Sequence, residues 1–135
     1  MNEKLKRPVV EGVYVAIVKE QEDDIDVFDV YLINNREEEL EQVLVTSKGY
    51  LKIEETNEEI KTDILRKSLG NIPAKSAVII EPVMEDVLQL NNEFWVSFWI
   101  ASEMYDKKYI FLAESVKEEN MVIVPILECK GVMIG

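Results

Sequence analysis

Apolar positions along this chain recur in short runs at a spacing of two, not at the 3.6-residue spacing of a helix, so the pattern predicts strands. Val13 to Val18 is rich in β-branched residues and leaves no helical stripe; it reads as a largely buried strand opened by Gly12. A second strand runs from Val27 to Ile33 with Phe28, Val30 and Leu32 on one face, and Asn34 and Asn35 end it as residues that tolerate turn geometry. Between them, Glu20, Glu22, Asp23, Asp24 and Asp26 read as a solvated turn. Arg36 to Glu41 is a polar connection with Leu40 tucked beneath it. Strand resumes at Val43 to Thr46, is punctuated by Ser47, Lys48 and Gly49, and continues after a bend from Tyr50 to Ile53.

Glu54 to Glu59 reads as another acidic turn. Thr62 to Gly70 offers a threonine N-cap and a glycine C-cap around Ile64, Leu65 and Leu69, so it fits either a strand or one short helix. A turn from Asn71 to Ser76 leads into the strand Ala77 to Ile80, which Pro82 closes by removing a backbone donor. Met84 to Asn92 has room for one helical turn. Phe94 to Ile100 then pairs with Tyr105 to Leu112 through Ala101 to Met104, the clearest hairpin in the chain. Met121 to Leu127 is the final strand, broken by Pro125 and therefore at an edge. Short strands every ten residues or so predict an all-β fold, an antiparallel immunoglobulin-like β-sandwich of about seven strands with at most one or two short helical turns. It forms one domain over residues 1–135, with 1–11 as a charged, flexible lead.

The most informative segment is Phe94-Trp95-Val96-Ser97-Phe98-Trp99-Ile100. Alternation puts Phe94, Val96, Phe98 and Ile100 on one face and Trp95, Ser97 and Trp99 on the other, so both faces are apolar. Two readings follow. In one, the Trp face is covered by a loop, by the 62–70 segment or by another subunit. In the other, Trp95, Trp99, Tyr105 and Tyr109 form an exposed platform for a protein partner or a second copy of the chain. The same aromatics beside Glu93 and Glu103 also suit a small-ligand pocket, if polar groups converge there.

Composition narrows the chemistry. A chain of 135 residues buries roughly two-thirds of its unfolded surface and needs no disulfide or metal for its core. There is no histidine, which removes Ser-His-Asp catalysis, Cys-His dyads and imidazole-dependent zinc sites. The single cysteine, Cys129, sits in an apolar run and reads as an inert buried thiol. Fifteen Lys and Arg against 27 Asp and Glu give a net charge of −12, the wrong sign for attraction to nucleic acid or to an anionic membrane. Lys107 and Lys108 are the only adjacent basic pair in the hairpin, too little for a cationic track, and read as a guard against edge-to-edge sheet association.

The acidic run at 22–26 lacks the spacing and the glycine of a calcium loop. Neither Glu85 with Asp86 nor Glu54, Glu55, Glu58 and Glu59 defines the opposed carboxylates of a glycosidase. The glycines are isolated, so no phosphate-cradling loop exists. With no secretory signal and no apolar run near the roughly 20 residues of a membrane span, a cytoplasmic location is expected.

The strings YLINN at 31–35, SKGY at 47–50, EPVMED at 81–86, LNNEFWVSFWI at 90–100, YDKKYIFLAES at 105–115 and KGVMI at 130–134 together resemble a small bacterial family sometimes labelled phenylalanyl-tRNA synthetase alpha subunit. The resemblance covers most of the chain from about residue 9 and implies an accessory role in translation as one alternative. The Phe-Arg-x-Glu motif of such a synthetase core is replaced here by Asn35-Arg36-Glu37-Glu38, and Arg7, Arg36 and Arg66 are the only arginines. The sequence therefore predicts a non-enzymatic interaction module with no cofactor and no metal, whose partner is a protein or a second copy of itself.

Overall fold

The computed structural model describes residues 10–22 and 25–135. Among them, ten strands form two antiparallel sheets, and the only helical pieces are 3-10 turns at Glu85–Gln89 and Glu118–Asn120. The strands are β1 (Val13–Glu22), β2 (Ile25–Asn34), β3 (Leu40–Ile53), β4 (Glu58–Lys61), β5 (Leu65–Ile72), β6 (Ser76–Val83), β7 (Asn91–Ile100), β8 (Glu103–Phe111), β9 (Val122–Val124) and β10 (Cys129–Ile134). The first sheet has the order β6-β2-β1-β10-β9; in the second, β4-β3-β7-β8, strand β5 also pairs with β3. The division of β1, β2 and β6 from β3, β7 and β8 matches strands A, B, E and C, F, G of an immunoglobulin-like sandwich. The fourth strand of that series, β5, has moved to the second sheet, while β10 and β9 extend the first sheet beyond β1.

The three strands beyond the expected seven come from segments with weak apolar alternation. β4 is exposed along its whole length and exists as the return arm of a hairpin from β3. β5 resolves the ambiguity at 62–70 as strand from Leu65 onward, because its backbone groups pair with β3 from Leu40 to Ser47, whereas a helix there would leave that edge open. β10 was not foreseen. It contains Cys129, whose thiol is partly buried and pushed up by that burial and by Glu20, away from thiolate.

Two further expectations change. Glu20, Glu22 and Asp26 lie in the paired strands β1 and β2, not in a turn, while Asp23 and Asp24 fall outside the described residues. Pro82 lies within β6 opposite Asp29; β6 is an edge strand, which needs donors on one side only, so the proline is accommodated. Of the predicted lead, residues 1–9 lie outside the described set, but Val10 is buried against the core and Glu11 is tied down through its carbonyl, which accepts from Arg36 Nη1 at 2.8 Å.

One core fills the space between the sheets. It takes Val13, Val15 and Ile17 from β1, Phe28, Val30 and Leu32 from β2, Leu40, Val43 and Val45 from β3, and Phe94, Val96, Phe98 and Ile100 from β7. Phe94 meets Phe111 edge-on at 5.9 Å, and Phe98 stacks on Tyr105 at 5.7 Å. Buried Asn34 joins the crossover to the sheet below it: its Nδ2 donates to the carbonyls of Glu38, Ile72 and Pro73, and its Oδ1 accepts from Arg36 N. It is thus a buried hub as well as a strand end.

The outer face of the first sheet has its own small core of Ala16, Val18, Ile33 and Val124, against which Tyr14, Tyr31, Ile126, Leu127 and Met133 pack. Residues 126 and 127 belong to the β9–β10 connection, so that face carries an apolar cover supplied by the chain itself.

The β7–β8 turn is tighter than the four residues expected. Only Ala101 and Ser102 separate the strands, with φ of 47° and 70°. Two positive φ values are the pattern of a type I′ turn, which favours Asn-Gly and disfavours alanine. Replacing Ala101-Ser102 by Asn-Gly is expected to stabilise the fold by about 1 kcal/mol, read as a higher urea midpoint at unchanged slope; an unchanged or lower midpoint refutes the turn assignment.

Candidate interaction face

Strand β7 is central in its sheet, so its alternation decides what each face offers. Phe94, Val96, Phe98 and Ile100 are buried, whereas Trp95 is 48% and Trp99 38% exposed. In-register neighbours on adjacent strands share a face. Opposite Trp95 stand Thr46 of β3 and Lys108 of β8; opposite Ser97 stand Leu44 and Asp106; opposite Trp99 stand Glu41 and Met104. Outward-facing Leu44, Met104 and Ile110 are also exposed large apolar side chains. Arg66 and Ser68 of β5 continue the Thr46 and Leu44 rows.

The same register divides the four residues singled out in the sequence. Trp95 and Trp99 share the open face. Tyr105 stands opposite Phe98 and Tyr109 opposite Phe94, which puts both on the core side. Tyr109 is fully buried, and its hydroxyl donates to the Val13 carbonyl across the sandwich at 2.7 Å. Tyr105 is partly buried against Phe98, with its hydroxyl donating to Glu103 at 3.0 Å. A single platform of all four rings is therefore replaced by a two-tryptophan face completed by Leu44, Met104, Arg66 and Lys108. Of the 62–70 segment, residues 65–70 lie in the plane of the sheet within β5 and do not cover this face.

These side chains make ridges and a trough. The Trp95 and Trp99 rows stand on either side of the row Ser68, Leu44, Ser97 and Asp106. Two open depressions share Leu44, Ser97 and Met104: one of about 340 Å³ reaches Trp95, Arg66 and Asp106, and one of about 400 Å³ reaches Trp99, Gln42 and Asn71. Along the strands, Trp95 and Trp99 are four residues apart, roughly 13 Å.

The polar end of the face is locked. Glu93, on the same side of β7 as Trp95, is 8% exposed and sits between Lys48 Nζ at 3.8 Å and Lys108 Nζ at 4.0 Å. Lys108 also lies over the Trp95 ring at 5.0 Å from its centroid. Glu93 therefore positions Lys108, and Lys108 steadies the indole. Glu103 pairs with Ile100 at the far end of β7, seven residues from Glu93 and so about 23 Å along the strand. The two carboxylates do not converge.

A separate cleft of about 320 Å³ opens between the sheets near Ser47 and Glu81, where the Ser47 hydroxyl donates to the Glu81 carboxylate at 3.1 Å. Among the described residues, no group of three or more Cys, Asp or Glu side chains is placed to hold a metal ion. No helix of the described residues is long and apolar enough to cross a membrane.

Sequence reading missed Leu44, Arg66, Met104 and Lys108 as parts of this face. The signal was present in the hairpin itself. A connection of two or of four residues places odd-numbered residues of one arm beside even-numbered residues of the other, so Tyr105 and Tyr109 had to share a face with the phenylalanines.

Removing the Tyr109 hydroxyl leaves the Val13 carbonyl buried and without that donor, so Tyr109→Phe is expected to cost about 1–3 kcal/mol. Trp95→Ser is expected to cost less, about 1 kcal/mol or below. Burial pushes the Tyr109 phenol up from its ordinary value. A raised folded-state pKa gives stability that is full below the unfolded value near 10 and is lost as pH rises beyond it. Denaturant titrations from neutral to alkaline pH should show that fall, and Tyr109→Phe should make it shallower; equal slopes would refute the assignment. In comparisons with known proteins, no family model and no curated protein matches the chain.

Proposed function

We propose that this protein is a non-enzymatic interaction module that meets another protein surface through the outer face of β5, β3, β7 and β8. The observation that carries the reading is the contrast between the two outer faces of the sandwich. On the first sheet, Ile126 and Leu127 pack over the apolar cluster, and the outward-facing Ile79 and Val122, 41% and 49% exposed, stand apart on the two opposite edge strands β6 and β9. On the second, Leu44, Trp95, Trp99 and Met104 remain 53%, 48%, 38% and 37% exposed in one contiguous patch. A patch of tryptophan, leucine and methionine rimmed by Arg66 and Lys108 has the make-up of an interface core, where aromatic residues, Met and Arg are enriched. Rigid tryptophans lose little conformational freedom on contact, which suits them as anchors.

The absence of histidine supports the non-enzymatic part, since it leaves no imidazole for general acid-base or nucleophilic chemistry at neutral pH. The net charge of −12 supports a protein partner over a nucleic acid or an anionic membrane, and a cytoplasmic setting belongs to the same proposal.

A photo-crosslinking amino acid at Ser97, in the trough between the tryptophans, tests this in living cells. Irradiation should give a discrete protein adduct, of this chain with itself or with another, and the adduct should vanish when Trp95 and Trp99 are both changed to Ser. The same probe at Lys130, on the opposite sheet, should give none. No adduct from Ser97, or equal adducts from both positions, would sink the reading. Near-native circular dichroism of the double variant is the control for folding.

A further inference from the structure

We propose that the occupant of the tryptophan face is a second copy of this chain, placed by a two-fold axis that lies in the face and crosses the strands between the Trp95 and Ser97 rows; this rests on reading that face as the interaction surface. An isologous interface must be complementary to itself. This face has that property in one register. The axis keeps each strand over its own counterpart and exchanges the rows. The bulky Trp95 of either copy comes to lie over the small Ser97 of the other, in the trough that the rows already form.

The flanking residues follow the same exchange. On β8, Lys108 and Asp106 occupy the Trp95 and Ser97 rows, so each Lys108 meets the Asp106 of the second copy, twice by symmetry. Further out, Met104 in the Trp99 row meets Ile110 in the Glu93 row, two side chains that are 37% and 36% exposed in the single chain. Trp99 comes over Glu93, whose charge is already matched by Lys48 and Lys108. The strands of the two copies stay aligned, a geometry that packed sheets adopt. An axis along the strands, between β3 and β7, would instead bring Arg66 against Lys108, both cations of the Trp95 row.

Charge also favours this face over the rest of the molecule. Lys48, Arg66 and Lys108 balance Glu93, Asp106 and the rim residue Glu41, so the face is locally neutral on a chain of net charge −12. Two such chains approach with least repulsion here.

Sedimentation of the purified protein from low to high micromolar concentration, with a charge-swap series, is the test. The wild type should populate a species of twice the chain mass. Lys108→Glu opposes two pairs of carboxylates and should weaken that species by roughly tenfold or more; Asp106→Lys, opposing two pairs of ammonium groups, should do the same. With all variants carried on a Glu93→Gln background, which removes the carboxylate that residue 108 faces in its own chain, the double variant, Lys108→Glu with Asp106→Lys, should restore it, because both pairs are re-formed with signs reversed. A monomeric wild type across the range, swaps without effect, or a double variant no better than the singles would each overturn the proposal. A Ser97 adduct to a different protein, with a monomeric wild type, would overturn the second-copy inference and leave the interaction reading standing. Circular dichroism shows whether a single swap has unfolded; the mirror swap then supplies the measurement.

Discussion

The constraint on which the structure turns is the period of two in β7, held between β3 and β8. Because successive side chains point to opposite sides, a slip of one residue would move Phe94, Val96, Phe98 and Ile100 out of the core and the tryptophans into it. The flanking strands remove that freedom. Val45 stands opposite Val96 and Tyr109 opposite Phe94, and the Tyr109 hydroxyl reaches the Val13 carbonyl on the other sheet. One buried phenol thus fixes the β7–β8 hairpin against β1, and the composition of the open face follows from that register.

A β-sandwich has two inner faces and two outer ones, and this chain makes all four apolar in part. The inner pair is satisfied by mutual packing. On the first sheet the β9–β10 connection contributes Ile126 and Leu127 to a second small core around Ala16, Val18 and Ile33. Among the described residues, no comparable packing encloses Trp95, Trp99, Leu44 and Met104. Their neighbours are arranged nonetheless, with Glu93 holding Lys108 over the Trp95 ring. A surface with this much order beneath it is preorganised, so less side-chain freedom remains to be lost on contact.

Much of the fold was legible in the sequence. The alternation at 13–18, 27–33 and 94–100 marked the three strands that carry most of the core, and the cluster at 84–92 supplied the expected helical turn. What escaped were β4 and β10, and β5 stayed open between strand and helix; β4, exposed throughout, and β5, exposed over most of its length, exist by pairing and take their form from hydrogen bonds to β3. The make-up of the candidate face was half legible. Trp95 and Trp99 were correctly set on one face by their spacing, while Tyr105 and Tyr109 were set beside them because the hairpin was read for composition and not for register.

The sequence by itself determined the class of fold, the two-sided apolar character of β7 and the absence of imidazole chemistry from a chain without histidine. Those properties are local or additive, and depend on residue order and count alone. Tertiary structure decided which apolar face is enclosed and which is open, and which side chains join the tryptophans there. Leu44, Arg66 and Lys108 come from three different strands, and only the inter-strand register brings them to one surface. Register is set by turn length and cross-strand packing together, and no single segment carries that information.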